Sequence, residues 1–97
     1  MANIGTFTRD GDNFTGAIST LALKAKASLH PNTKTSDQAP DYRVYAGGAE
    51  IGAAWLKTSK GERPYLSVKL DDPSFPSAIF CRLVESTNGQ HRLLWSR

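Results

Sequence analysis

Along most of the chain, apolar and polar residues alternate with a period of two, which is the signature of β-strands. Residues Asn3 to Arg9 read as a first strand, with Ile4 and beside it Phe7 offering apolar surface. Asp10-Gly11-Asp12-Asn13 follows as a hairpin turn, because Asp, Asn and Gly tolerate the left-handed backbone that a tight reversal needs. The next strand starts at Phe14, and Phe14, Gly16 and Ile18 share one face. Then the phase slips. Leu21, Leu23, Ala25, Ala27 and Leu29 fall on odd positions, whereas Phe14 and Ile18 are even. A one-residue slip moves side chains to the opposite face, so a bulge or break near Ser19-Thr20 is the simplest repair. Ala, Leu and Lys also suit a helix over Thr20 to Ala27; the alternation favours a strand.

His30 to Asp41 holds no large apolar residue and contains Pro31 and Pro40, so it reads as a polar surface loop (30–41). Asp41 to Ala46 is a strand with Tyr42 and Val44 on one face and Arg43 and Tyr45 on the other. Gly47-Gly48 is a two-residue hairpin turn. The return strand, Ala49 to Thr58, is apolar on both faces: Ile51, Ala53 and Trp55 on one, Gly52, Ala54 and Leu56 on the other. Such a strand is expected to be buried on both faces, in the centre of a sheet or in a subunit interface. Gly52-Ala53-Ala54 lets another backbone approach closely, and Trp55 and Trp95 are expected in the core. Ser59 to Pro64 is a charged turn bending at Gly61. Tyr65 to Leu70 points Leu66, Val68 and Leu70 inward and Tyr65, Ser67 and Lys69 outward. Asp71 to Pro76 is a stiff loop with two prolines, Ala78 to Glu85 a further strand, Asn88-Gly89 a hairpin turn, and His91 to Arg97 the last strand. The sum is an all-β fold: a single antiparallel domain over residues 1–97, of about seven strands, sandwich-like or a partly open barrel.

Length and composition narrow the function classes. A chain of 97 residues is too short for doubly wound nucleotide-binding folds or α/β barrels. Its core is thin, and together with the two-sided strand Ala49–Leu56 this points to a homodimer with an isologous contact. The single cysteine, Cys81, excludes an internal disulfide and suits a reducing cytoplasm. The first residues lack the basic and apolar regions of a signal peptide. The longest strictly apolar run, Ala53 to Leu56, is too short for a transmembrane helix. A soluble, cytoplasmic protein is expected.

Catalytic chemistry finds little support. His30 and His91 are far apart and no metal-ligand spacing occurs, so no metal and no cofactor is expected. Cys81, between Phe80 and Arg82 on a strand with Ile79 and Leu83, reads as a packed, inert thiol. Asp71 and Asp72 are adjacent and point apart on an extended backbone, which suits a turn better than a Mg²⁺ site. No nucleophile, base and oxyanion donors converge, and the protein is not expected to be an enzyme.

The charges are more informative. Twelve Lys and Arg against nine Asp and Glu give +3. The acids cluster in turns and loops, while the bases lie mainly on strands and in one hairpin turn. Lys24 and Lys26 share a face, as do Arg43 with Tyr45, Tyr65 with Lys69, and Trp55 with Lys57. Cations beside aromatic rings on a sheet are what single-strand binders use, the cations for phosphates and the rings for bases. Lysines on exposed strands also guard against edge aggregation, and Tyr and Trp are favoured strand residues in any case. The residues singled out for nucleic acid are Lys24, Lys26, Arg43, Lys57, Lys60, Arg63 and Lys69 for phosphates, with Tyr45 and Tyr65 as stacking rings. The alternative is a protein-interaction module, an adaptor or inhibitor of a host factor. It would act through strand addition and the loop His30–Asp41 or Pro73–Pro76.

Longer stretches carry a resemblance. Asn3-Ile4-Gly5-Thr6-Phe7 with Phe14-Thr15-Gly16, Ala39-Pro40-Asp41-Tyr42-Arg43-Val44, Ile51-Gly52-Ala53-Ala54-Trp55 and Tyr65 through Pro76 resemble the bacterial domain-of-unknown-function family 736. The likeness runs nearly to the end of the chain, through Trp95-Ser96-Arg97. The resemblance implies a small cytosolic protein of plasmids and integrative conjugative elements, and supplies no catalytic residues. Leu56, Phe80 and Cys81 depart from the residues expected in relatives, respectively Lys, Tyr and Ala. The reading that follows is a non-enzymatic accessory protein of a mobile genetic element that binds nucleic acid, DNA above all, mainly through backbone charge.

Overall fold

Among the described residues eight strands succeed one another, and each pairs antiparallel with the next. They are β1 (Ala2–Asp10), β2 (Asn13–Ser19), β3 (Lys24–Pro31), β4 (Tyr42–Ala46), β5 (Ala49–Thr58), β6 (Pro64–Leu70), β7 (Ile79–Glu85) and β8 (Gln90–Trp95). β8 returns to pair with β1, from Ala2↔Trp95 to Thr8↔Gln90, and closes the barrel. The structure is a computed structural model and describes residues 2–21, 24–58, 60–61, 63–86 and 89–95.

The all-β antiparallel domain is as expected, and of the two architectures the barrel is the one formed; it is fully closed, with eight strands among the described residues against about seven. The difference arises at the phase slip. Phe14 pairs with Leu29, Gly16 with Ala27 and Ile18 with Ala25, so each pair joins an even position to an odd one. A reversal through an even number of loop residues flips parity just as a bulge does. The chain turns back between Ser19 and Lys24, and what reads as one slipped strand is a hairpin. Lys24 to Ala27 is strand, which overturns the helix alternative. Leu21 stands fully in solvent within this reversal, and Ala22 and Leu23 lie outside the described residues.

The turns carry the chemistry that short hairpins demand. Asp10 pairs with Asn13 across Gly11-Asp12, and Ala46 with Ala49 across Gly47-Gly48, whose φ angles of +59° and +85° only glycine adopts freely. The expected Asn88-Gly89 turn falls partly outside the described residues, since Asn88 is not among them.

Two irregularities fill the interior. Pairing of β1 with β8 shifts between Asn3 and Gly5, which lets both Ile4 and Phe7 point inward despite their opposite parity. Pairing of β4 with β5 shifts between Val44 and Tyr45, so that Ile51 is inward together with Gly52 and Ala54. Phe7, Ile18, Leu29, Val44, Val68, Leu70 and Leu83 are the largest fully buried side chains. Ala53 and Trp55 face outward, contrary to a core position for Trp55; Trp95 does pack against the core. The half-burial of Trp55 has a source within the chain, because its indole Nε1 donates to the Gln38 carbonyl of the loop at 3.0 Å. On β5 the bulge turns Ile51 inward and the loop bonds Trp55, while Leu56 stays 60% exposed.

Glycine makes the strand curvature possible. A Cβ on Gly16 would run into the Thr6 carbonyl oxygen, and one on Gly52 into the Lys69 carbonyl oxygen. The ring of Phe7 lies over Gly16 instead, covering the missing side chain. Closure has one more consequence. Strand addition needs a free edge, and among the described residues every strand is paired on both sides. A protein-interaction role would therefore have to use side chains or loops.

Candidate nucleic-acid interface

Paired residues in an antiparallel sheet share a face, so the register shows what the barrel turns outward. The nine sequence-selected residues fall into two groups. Lys24 and Lys26 on β3, with Arg43 and Tyr45 on β4, form the first. Its best cation is already engaged: Arg43 Nη1 lies 2.9 Å from Glu50 Oε2, and its Nε donates to Asn32 Oδ1 at 2.9 Å. Tyr45 meets the His30 ring edge-to-face, with centroids 5.5 Å apart. Lys24 and Lys26 remain exposed.

Lys57, Tyr65 and Lys69 form the second group on β5 and β6, and Lys60 and Arg63 sit in the turn that joins those strands. Here the structure adds residues that the sequence reading passed over. Lys57 pairs with Tyr65, Lys69 with Phe80, and Ser67 with Trp55 on one side and Arg82 on the other. Arg82 in turn pairs with Leu94, and Val84 with Arg92. The Arg82 guanidinium carbon lies over the Tyr65 ring, 5.1 Å from its centroid. Phe80 is 63% exposed, unusual for so large an apolar ring. The alternation Phe80-Cys81-Arg82-Leu83 does place Phe80 and Arg82 on one face; what the sequence lacks is the register that sets them beside Tyr65 and Lys69.

The outward positions of β5 to β8 therefore carry Lys57, Lys69, Arg82 and Arg92, and among the described residues their one carboxylate, Glu50, is the partner of Arg43. Among the described residues no acid comes within ion-pair distance of Lys57, Lys69 or Arg82. A recess of about 390 Å³ opens between Lys57, Tyr65, Ser67, Phe80, Arg82 and Leu94.

Asp41 clasps the polar loop to the margin of this face. Its Oδ2 accepts the Leu56 amide at 2.8 Å, its Oδ1 lies 3.2 Å from Lys34 Nζ, and its own amide donates to the Ala54 carbonyl at 2.9 Å. The Leu56 amide holds the carboxyl below its ordinary value; partial burial opposes this and Lys34 reinforces it. A carboxyl whose pKa is lower folded than unfolded stabilises the fold fully above the ordinary carboxylate range. That contribution is lost as pH falls through the lowered folded value. Following the Leu56 amide resonance on acidification should give a titration midpoint below that of an unstructured aspartate. Asp41→Ala should abolish the titration. A midpoint at or above the ordinary value would mean that the clasp does not form.

Other candidate chemistry takes structural roles. Burial pushes the Cys81 thiol up to about 11, which suits packing and not nucleophilic attack. Asp72 Oδ2 accepts the Ser74 amide and hydroxyl, which lowers its pKa and fixes the turn that packs Phe75 against the core. Among the described residues no three His, Cys, Asp or Glu side chains gather as a metal site. No helix there is long and apolar enough to cross a membrane.

No curated protein and no solved structure matches this chain. The model of one family matches residues 3–97, nearly the whole chain, so this protein belongs to the family described as Protein of unknown function (DUF736).

Proposed function

We propose that this protein is a non-enzymatic nucleic-acid-binding accessory protein that grips the phosphate backbone with the outer face of β5 to β8. DNA of a mobile genetic element, met in the cytoplasm, is the target that fits the context inferred for the family. One observation carries the reading: Lys57, Lys69 and Arg82 lie beside the rings of Tyr65 and Phe80, with Arg92 on the next strand, and the one outward acid of these strands, Glu50, is paired with Arg43 among the described residues. Charge of one sign spread along a strand face attracts a polyanion, and the bound phosphates release their counterions. Lys60 and Arg63 stand in the adjoining turn at one end of this face.

The test is fluorescence anisotropy with labelled DNA over a range of salt. If the four cations each meet one phosphate, log affinity should fall linearly with log salt, with a slope of about −3 for a single strand. Absence of binding at low salt, or affinity indifferent to salt, would overturn the reading. Sedimentation at the same concentrations gives the stoichiometry, and would show whether the protein is a homodimer.

A further inference from the structure

We infer that the target is a single strand whose unpaired bases stack on two platforms of the β6–β7 face, Phe80 and the Arg82–Tyr65 pair; the inference rests on the function proposed above. Phosphate binding alone needs only cations, and lysines in turns would serve. This face instead exposes a phenylalanine ring to solvent at 63% and places a guanidinium 5.1 Å from a tyrosine ring centroid. Rings and guanidinium planes at a surface are stacking partners for bases turned out of a duplex.

The spacing of the platforms selects the strand type. Phe80 pairs with Lys69, four positions along β6 from Tyr65, which is about 13 Å at the rise of a strand. Bases within a duplex strand are only ~3.4 Å apart and present only their edges. Platforms so far apart hold bases splayed along an extended strand. Ser67, between Tyr65 and Lys69 on β6, lines the recess and offers a hydroxyl to base edges. Lys57 beside Tyr65 and Lys69 beside Phe80 place a cation at each platform for the flanking phosphates. Among the described residues no helix is available to enter a major groove. Charge and ring placement therefore agree on one occupant, a single strand.

Four probes of equal length separate this inference from the reading beneath it: oligothymidylate, its duplex, an abasic oligodeoxynucleotide, and an acidic peptide. Oligothymidylate should bind at least tenfold more tightly than the duplex or the abasic strand. Phe80→Ser should weaken oligothymidylate binding about tenfold, leave the abasic strand unaffected, and keep the thermal midpoint because the ring is exposed. Phe80→Tyr, which keeps a ring, should restore tight binding. Equal affinity for the abasic and the thymidylate strands would overturn the stacking inference while leaving backbone binding intact. Preference for the duplex would overturn it likewise. If no nucleic acid binds, or the acidic peptide binds as well as oligothymidylate, the nucleic-acid reading itself falls.

Discussion

Replacing Lys57, Lys69 and Arg82 together by glutamate is expected to weaken DNA binding on the order of 100-fold at low salt, since each lost phosphate contact costs affinity and each new acid repels the backbone. The salt slope should fall by about 2–3 as well, because the counterions those cations would release are no longer displaced. The three side chains project from β5, β6 and β7 on the outer face and stabilise no core residue, so the variant should fold. The informative comparison is Lys24→Glu with Lys26→Glu. These lysines are also exposed, but they lie on β3, with β4 between that strand and the face of β5 to β8. Their neighbour Arg43 is already paired with Glu50. A loss of only a few-fold is expected there. Equal losses in both variants would mean that net charge, not a defined face, governs binding.

Gly52→Val is expected to have the largest effect on stability. The position lies inward, pairing with Val44 on one side and Leu70 on the other. A side chain there would drive its Cβ into the Lys69 carbonyl oxygen, with the Leu70 Cα only 3.1 Å away. Both obstacles are backbone, so a rotamer change cannot relieve them. The β5–β6 pairing would have to open at the centre of the barrel wall. Overpacking of this kind costs about 3 kcal/mol or more. For a chain of 97 residues that lowers the melting midpoint by about 12–24 °C. Gly11→Asn is the control: φ is +62° and nothing lies within 4 Å of the site. Asn tolerates that conformation, so thermal melting followed by circular dichroism should show only a small shift. A Gly52→Val protein melting like the parent would mean that the two backbones are not in contact there.

The legible parts of this fold are those that depend on neighbours in sequence. Alternation of Leu66, Val68 and Leu70 with Tyr65, Ser67 and Lys69 fixes which side of β6 is core. Gly47-Gly48 announces its turn, because few other pairs adopt two successive left-handed residues. The slip after Ile18 was visible as a change of parity, but parity alone does not distinguish a bulge from a hairpin. The two differ in whether Ser19 faces Lys24 across a strand pair, which is a tertiary fact. Trp55 shows the same limit. Its apolar ring suggests core, yet the register turns it outward, where the polar loop supplies a carbonyl for its indole nitrogen.

The candidate interface divides in the same way. Residue type and period two were enough to put Lys57, Tyr65 and Lys69 on exposed faces of their strands. They were not enough to join those strands to Phe80 and Arg82, or to show that Arg43 is held by Glu50 and Asn32. The all-β class, the main hairpin turns and the alternation that separates core from surface are legible along the chain, because each depends on local backbone preference and on burial of every second side chain. Closure of the sheet, the meeting of β1 with β8, and the choice of neighbouring cations and rings emerge in three dimensions alone. Barrel closure and register come from contacts between residues distant in the chain, and a one-residue change of register would turn every side chain of a strand to the other face.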